Sequence, residues 1–165
     1  MRRIQAGAFV SLAIVSIGCD HAVKQITTHA LAGAPALSFA GDTLRFELVS
    51  NPGAFLSLGA ALPVLLREAL LLVGVPLLLT LLCVLLLREP AVRSREIAAL
   101  GLIVGAGLAN WLDRLLHDGA VTDYVSLGFG PLRTGIFNLA DVGIVAGLLI
   151  LVLPRGQGAA QSRNT

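Results

Sequence analysis

The sequence is poor in charged residues, aromatic residues and cysteine. Asp, Glu, Lys and Arg make up 13% of its 165 residues, well below the ~25% found in soluble domains, whereas hydrophobic residues make up 56%. The formal net charge is only +2 and the basic residues form no run, which argues against a nucleic-acid-binding surface. This composition predicts a single integral membrane domain over residues 1–165.

The cysteines and histidines are too few and too scattered to predict a disulfide framework or a metal site. Cys19 and Cys83 stand alone without a CxxC motif, and we interpret them as core thiols. The spacing of His21, His29 and His117 is not that of metal ligands. The sequence therefore predicts neither a metal ion nor a bound cofactor.

Four apolar segments are predicted to cross a membrane as α-helices. They cover about residues 4–25, 63–87, 97–116 and 137–153. Each is close to the ~20 residues that span ~30 Å of hydrocarbon, and the last is the shortest. The first segment also resembles a secretory signal ending at Cys19, but three further spans follow it, which favours a retained helix. The predicted fold class is a membrane all-α protein with a small β element.

The basic residues predict how the four spans are oriented. They lie before the first span, between the second and third, and after the fourth: Arg2, Arg3, Arg88, Arg93, Arg95, Arg155 and Arg163. Basic segments stay on the cytoplasmic side, so both termini are predicted to be cytoplasmic. The loops 27–62 and 117–136 then face outward. The polar tail 156–165 is predicted to be flexible.

The two outward loops contain segments that are typical of β-strands. In Thr43–Val49 apolar residues alternate with Arg45 and Glu47, and Val121–Val125 is a second possible strand. We expect these strands to form a small sheet on the outer membrane surface.

Three of the predicted spans carry polar side chains at a similar depth. Span one carries Asp20 and Lys24, span three carries Asn110, Asp113 and Arg114, and span four carries Asn138 and Asp141. At 1.5 Å per residue, one residue of each span (Asp20, Asn110, Asp141) lies roughly 6–10 Å below the outer end of its helix. Ionisable groups in a membrane are costly and usually functional, so the shared level predicts one site. Hydrogen bonding that merely joins the helices remains an alternative for Asp20–Lys24 and Asn110.

Asp141 needs a partner, because its own helix offers no cation one turn away. Asp123 is the best candidate, since it lies in a strand-like segment just before the fourth span. Taken alone, Asp123 is typical of an ordinary acidic loop residue.

Four blocks of the sequence resemble motifs of the lipoprotein signal peptidases (signal peptidase II), which are bacterial aspartic peptidases. The block Asp20-His21-Ala22-Val23-Lys24 resembles D-Q-x-x-K, and Asn51-Pro52-Gly53-Ala54 resembles N-x-G-A. Asn110-Trp111-Leu112-Asp113-Arg114 and the following Asp118–Tyr124 resemble N-x-x-D-R…G-x-V-x-D-F. Phe137-Asn138-Leu139-Ala140-Asp141 resembles F-N-x-A-D. The blocks occur in the family's order across about residues 4–153.

The resemblance implies that Asp123 and Asp141 are the catalytic pair. It implies that the other motif residues bind substrate or support the site: Asp20, Lys24, Asn51, Gly53, Asn110, Arg114 and Asn138. The implied substrate is a prolipoprotein with a diacylglyceryl cysteine, cleaved just before that cysteine. The implied enzyme is a monomer in the bacterial cytoplasmic (inner) membrane, surrounded by lipid. The sequence departs from the motifs at three residues: His21 replaces Gln, Ala109 replaces Gly and Tyr124 replaces Phe.

Two carboxyl groups held close together in a low dielectric share a proton, so one can activate water while the other donates a proton. Which aspartate is the base stays open, because coupled acids titrate as a pair. Arg114 or Asn51 is a candidate for stabilising the oxyanion, and the apolar residues Leu44, Phe46 and Leu48 are candidates for clamping the substrate. The alternatives are a small proton-coupled transporter and a catalytically inactive lipoprotein-binding paralogue.

Overall fold

The protein is mostly helical, with a small sheet at one end of the helices. The computed structural model describes residues 3–89 and 92–153; the predicted flexible tail and the basic residues Arg2, Arg155 and Arg163 lie outside them. The helices are α1 (Arg3–Leu31), α2 (Val64–Glu68), a π-helical segment (Ala69–Gly74), α3 (Val75–Arg88), α4 (Ser94–Leu116) and α5 (Leu139–Val152). The α2 helix, the π-helical segment and α3 follow one another without a break and form one long apolar rod.

Three helices are long and apolar enough to cross a membrane, namely Ile4–Leu31, Val64–Leu86 and Ser94–Leu116. The α5 helix is apolar but has 14 residues, which is about 21 Å of helix against ~30 Å of hydrocarbon. Three of the four predicted spans are therefore supported by length, and the fourth crossing stays a prediction. Because α1 continues past Gln25 to Leu31, the depth predicted for Asp20 below its helix end is too small.

The α4 helix is the centre of the bundle. In its most apolar stretch 61% of the residues are buried, against 11% in each of the other two long helices. Glycines bring the neighbouring helices close: a Cβ on Gly105 would lie 2.6 Å from the Cα of Ala13 in α1, and a Cβ on Gly147 of α5 would lie 2.7 Å from the carbonyl oxygen of Ala99. Small residues at such crossings allow backbones to approach without an aqueous hydrophobic effect to drive them.

Two side chains of α4 satisfy backbone carbonyls of its neighbours. Pro76 has no N–H to donate to the carbonyl of Leu72 four residues earlier, and Trp111 Nε1 donates to that carbonyl at 3.0 Å. At the other end of α4, Arg95 Nε donates to the carbonyl of Ile150 at 2.6 Å. That carbonyl is in the last turn of α5, where no helical N–H is available.

The sheet has four antiparallel strands in the order β1-β2-β3-β4. They are β1 (Leu37–Phe39), β2 (Leu44–Asn51), β3 (Val121–Phe129) and β4 (Leu132–Arg133). Both predicted strands are present, in β2 and β3, whereas β1 and β4 were not predicted. A register shift lies between Phe46 and Val49 in β2, so the predicted alternation through Leu48 is interrupted.

The turn between β1 and β2 is held by Asp42. Its carboxylate accepts hydrogen bonds from Ser38 and Arg45 and pairs with Arg133 of β4 at 2.6 Å. The Ser38 and Arg45 hydrogen bonds are the main causes that lower the pKa of Asp42 to about 2. The two loops that build the sheet are therefore tied together by a carboxylate that is charged across the physiological range.

Candidate active site

Buried polar side chains gather where the helices meet the sheet. They come from α1, α4, α5, β2 and β3, and they comprise Asp20, Lys24, Asn51, Asn110, Asp113, Arg114, Asp123, Asn138 and Asp141. Every residue predicted for the site is in this group except Gly53, which is also buried and is hydrogen-bonded to two of its members. The structure therefore brings together all of the residues that the sequence singled out.

Asp123 lies on β3 with a side chain that is almost completely enclosed, at 1% exposure. Asn51 Nδ2 donates to its Oδ2 at 2.7 Å, and Asn138 Nδ2 donates to its Oδ1 at 2.6 Å. Burial raises the pKa of Asp123, while the two amide hydrogen bonds act in the opposite direction. The carboxyl group of Asp123 is therefore shielded from solvent and accepts hydrogen bonds from two amide side chains.

Asp141 lies in the first turn of α5 and takes part in a reciprocal cap. Asn138 is the N-cap residue: its Oδ1 accepts the N–H of Asp141 at 2.9 Å, and Asp141 Oδ2 accepts the N–H of Asn138 at 3.3 Å. The other carboxylate oxygen, Oδ1, accepts Nδ2 of Asn110 at 3.0 Å. The positive end of the helix also favours a negative charge here.

Asn138 connects the two aspartates. Its Nδ2 donates both to Asp123 and, at 3.1 Å, to Oδ1 of Asn110, while its Oδ1 accepts the N–H of Asp141. Because Asn110 in turn donates to Asp141, two amides from different helices contact the acids from both sides. The acids are therefore part of one hydrogen-bonded unit rather than two separate features.

Lys24 is the buried cation of α1. Its Nζ lies 2.8 Å from Asp20 Oδ2, 3.1 Å from Asp113 Oδ2 and 2.9 Å from Asn110 Oδ1. Asp113 was noted as a polar residue of the third span but was not among the residues predicted for the site. The signal that could have found it is its helical spacing, three residues after Asn110 and hence on the same face.

Arg114 and Asn51 fix the loop that follows β2. Arg114 Nη2 donates to the carbonyl of Gly53 at 2.7 Å, and Asn51 Oδ1 accepts the N–H of Gly53 at 2.8 Å. Position 53 has no room for a side chain, since a Cβ would lie 2.7 Å from the carbonyl oxygen of Leu58. Among the described residues, Arg114 Nε is the buried side-chain nitrogen that has no hydrogen-bond partner.

An apolar groove leads to Asp141. It lies between the loop after β2 and α5, and it is lined by Phe55, Leu56, Thr134, Phe137, Asp141, Val142 and Val145. Asp141 is the ionisable residue of this lining. Leu56, which lines the groove, and the adjacent Ser57 have φ angles of 53° and 63°, a left-handed conformation that is strained for residues other than glycine and often occurs at functional sites.

The three departures from the family motifs have different surroundings. His21 is exposed and lines a groove between α1 and α4. Ala109 is buried in a cluster with Ala106 and Ala140, where α4 meets α5. The hydroxyl of Tyr124 accepts the N–H of Leu139, the first residue of α5, at 2.9 Å. Burial raises the pKa of Tyr124 to about 12.

The described residues contain no group of three or more His, Cys, Asp or Glu side chains placed to hold a metal ion. The cluster itself offers four buried carboxyl groups beside the cations of Lys24 and Arg114, and Asp20 and Asp113 are both paired with Lys24. The other two, Asp123 and Asp141, are the groups that could carry out acid–base chemistry.

Comparison with known proteins places this arrangement among peptidases. The model of the family described as signal peptidase (SPase) II matches residues 12–154. A lipoprotein signal peptidase of Leifsonia xyli is 35% identical, over 94% of this chain and 72% of the relative. One from Streptomyces griseus is 30% identical, over 88% of this chain and 71% of the relative.

Two solved structures described as bacterial membrane enzymes share the fold. Their TM-scores are 0.75 and 0.76 at 18% sequence identity. The superpositions cover 88% of this chain and 85% and 90% of those chains.

Proposed function

Because the chain belongs to the signal peptidase II family, we propose that it removes signal peptides from lipidated prolipoproteins, with Asp123 and Asp141 as the catalytic pair. Family membership confirms the resemblance that the four sequence motifs predicted, and it makes the protein a multi-pass membrane peptidase. The curated relatives carry the name lipoprotein signal peptidase, which supports a prolipoprotein substrate. We carry over from the resemblance that the bond cleaved is the one before the diacylglyceryl cysteine.

The observation that supports an aspartic mechanism is the shared hydrogen-bonding unit around the two acids. The buried cluster contains four carboxyl groups (Asp20, Asp113, Asp123 and Asp141) and two cations (Lys24 and Arg114). With all of these charged, the cluster would carry two uncompensated negative charges in a low dielectric. One proton shared by Asp123 and Asp141 reduces this cost, as it does in other pairs of close carboxyl groups.

In the proposed reaction the pair acts on a water molecule and the scissile amide. The ionised member of the pair takes a proton from water, whose oxygen attacks the carbonyl carbon. The protonated member donates to the carbonyl oxygen, and the amine that leaves receives a proton as the C–N bond breaks. We assign this proton transfer to the pair as a whole, because the two groups titrate together.

Arg114 is the better of the two predicted candidates for contacting the carbonyl oxygen. Asn51 Nδ2 already donates to Asp123 and to the carbonyl of Ala54 at 3.1 Å. Arg114 Nε has no partner among the described residues and so keeps a donor for substrate. A positioned donor of this kind stabilises the charge that develops on the oxygen.

We also propose that four helices cross the bacterial inner membrane, with the sheet outside. Arg88 ends α3, and Arg93 and Arg95 lie at the start of α4, so the basic residues lie at the end of the bundle away from the sheet. With α5 about 9 Å shorter than the hydrocarbon, its N-terminus and Asp141 would lie below the outer surface. The end of a signal helix would reach Asp141 at this level, where the acyl chains of the substrate enter the bilayer. The apolar groove can bury those chains, which is favourable by ~0.8 kcal/mol per buried methylene.

The test is cleavage of a lipidated precursor peptide by the purified protein. Asp123→Asn and Asp141→Asn should each abolish cleavage while the protein still inserts and elutes as the wild type does. Asp118→Asn is the matched control, because Asp118 is exposed in the loop before β3 and its φ of 49° suits asparagine. Near-normal cleavage by either mutant would refute the proposal that Asp123 and Asp141 are the catalytic pair. Peptide binding without cleavage by the wild type would instead identify an inactive lipoprotein-binding protein.

A further inference from the structure

We propose that Asp20, Lys24 and Asp113 form a clamp that sets the spacing of the two catalytic aspartates, which makes Asp113 a positioning residue. The inference rests on the proposed function, because it takes Asp123 and Asp141 as the pair that is positioned. It concerns how the backbone is held next to each acid rather than any contact with substrate.

Each carboxylate of the clamp holds the backbone N–H of the residue that precedes a catalytic aspartate. Asp20 Oδ1 accepts the N–H of Ala140 at 2.8 Å, one residue before Asp141. Asp113 Oδ2 accepts the N–H of Thr122 at 2.7 Å, one residue before Asp123. The two ends of the clamp are thus equivalent, although Ala140 lies in a helix and Thr122 lies in a strand.

Lys24 joins the two ends. Its Nζ is within 3.1 Å of both carboxylates, and all three side chains are at most 4% exposed. An unbroken path of short polar contacts therefore runs from Thr122 through Asp113, Lys24 and Asp20 to Ala140. The carboxylates of Asp20 and Asp113 and the ammonium group of Lys24 are buried, and the N–H of Thr122 at one end of the path is partly buried.

Stability alone is a weak reason for such a triad. Two carboxylates around one cation leave a net negative charge in the interior, and buried ion pairs can often be replaced by apolar residues without loss of stability. Geometry is a stronger reason, since a displacement of about 1 Å between reacting groups can cost about 10²-fold in rate. A clamp that fixes β3 against α5 addresses that requirement directly.

His117 supports the clamp from the loop side. Its Nδ1 lies 2.8 Å from Asp113 Oδ1, the carboxylate oxygen that is not used by Lys24 and Thr122. Asp113 is therefore held at both oxygens. The charged and titratable groups that surround it come from several elements: Asp20 and Lys24 of α1, Arg114 of α4, His117, Asp123 of β3 and Asp141 of α5.

The test compares two replacements of Asp113 that differ in one respect. Asp113→Asn removes the charge but keeps an oxygen that can accept the N–H of Thr122, whereas Asp113→Leu removes both. We expect Asp113→Leu to lower kcat by about 10–100-fold with KM within about twofold, and Asp113→Asn to restore kcat to within about fivefold of the wild type. Asp118→Asn serves as the control for removing a carboxylate from the same end of the molecule, and it should leave both constants unchanged.

The pH profile of kcat distinguishes positioning from a general structural defect. The acidic and alkaline limbs report the two apparent pKa values of the Asp123–Asp141 pair. The difference between these values comes from the interaction of the two acids, so it becomes smaller when the acids move apart. In Asp113→Leu the limbs should therefore approach one another. In Asp113→Asn the loss of charge should shift both limbs together and leave their separation intact.

A second variant covers the case in which Asp113→Leu does not fold. Thr122→Pro deletes the N–H that Asp113 accepts, leaves every charge in place, and should reproduce the lower kcat and the smaller separation of the two limbs. Thr122→Val, which also lacks the hydroxyl but keeps the N–H, is its control and should retain the wild-type kcat and limb separation. The clamp is refuted if the folded Asp113→Leu or Thr122→Pro protein has wild-type kcat and limb separation, or if Asp113→Asn is as impaired as Asp113→Leu. The two proposals can be refuted separately. If Asp123→Asn and Asp141→Asn lose cleavage but Asp113→Leu has wild-type kinetics, the clamp is refuted and the catalytic pair is still supported.

Discussion

Replacing Asn138 by aspartate separates the two tasks that this side chain performs. Asn138 caps α5 through its Oδ1 and donates to Asp123 through its Nδ2. Aspartate is as good an N-cap as asparagine, so the cap is kept. The donor at 2.6 Å from Asp123 becomes an acceptor, and a carboxyl group then faces a carboxyl group.

The size of the effect follows from the lost hydrogen bond and the added charge. A hydrogen bond to a charged group contributes about 1.5–3 kcal/mol, and each 1.4 kcal/mol is a factor of ten, so its loss alone predicts a roughly 10–100-fold lower kcat. The new carboxyl group also raises the pKa of Asp123 further, because one of the two must be protonated. The acidic limb of the activity profile should therefore move to higher pH.

The raised pKa of Asp123 also predicts that the protein becomes less stable as the pH rises. Burial already raises the pKa of Asp123 above its ordinary value of 3.8. A group with a raised pKa in the folded state contributes most stability below its unfolded pKa, and that contribution is lost as the pH rises through the folded pKa. The melting temperature in detergent should therefore fall as the pH rises above the unfolded pKa of Asp123, more steeply in Asn138→Asp than in the wild type, and less steeply in Asp123→Asn.

The assays are cleavage of the lipidated peptide from pH 4 to pH 9 and thermal unfolding over the same range. Asn138→Asp that cleaves within about threefold of the wild type at every pH would show that the Asn138–Asp123 hydrogen bond does not support catalysis. A large loss of melting temperature at pH 4, where one of the two facing carboxyl groups is protonated, would contradict the argument that the cap is retained.

Two further predictions concern the Tyr124 hydroxyl and the orientation of the chain. Tyr124→Phe leaves the N–H of Leu139 without its acceptor and should destabilise the protein by about 1–3 kcal/mol, measured by thermal unfolding, with little effect on kcat; an unchanged melting temperature would show that this contact contributes nothing. In a background without Cys19 and Cys83, a membrane-impermeant maleimide added to spheroplasts should label Ala36→Cys next to the sheet but not Ser94→Cys at the start of α4. The reverse labelling pattern would invert the proposed topology.

The sequence predicted the polar cluster because its members are unusual where they occur. A carboxylate, an amide or an ammonium group inside an apolar helix stands out, and Asp20, Lys24, Asn110 and Asp141 were recognised in this way. Asp123 does not stand out from its neighbours in this way, because acidic residues are common in loops. It was predicted as the partner of Asp141 from its strand-like segment just before the fourth span, and the family motif then implied a catalytic role. The structure adds the two amide hydrogen bonds that it receives.

Other features could not be predicted because they depend on distant parts of the chain. The strands β1 and β4 have three and two residues, too few to show a period of two. The contacts of Asp113 with Lys24 and with the N–H of Thr122 require α1, α4 and β3 to be in place. The end of α1 at Leu31 was missed because a span was predicted from its apolar residues, whereas the helix continues through polar ones.

The register shift in β2 shows how a local irregularity determines which residues reach the site. Phe46 pairs with Val125 and Val49 pairs with Asp123, so three steps along β2 correspond to two along β3. Side chains alternate between the faces of a strand, and one extra residue therefore moves everything beyond it to the opposite face. Without the extra residue Asn51 would point away from Asp123. With it, Asn51 pairs with Val121 on the face of Asp123, and its Nδ2 reaches the carboxylate at 2.7 Å.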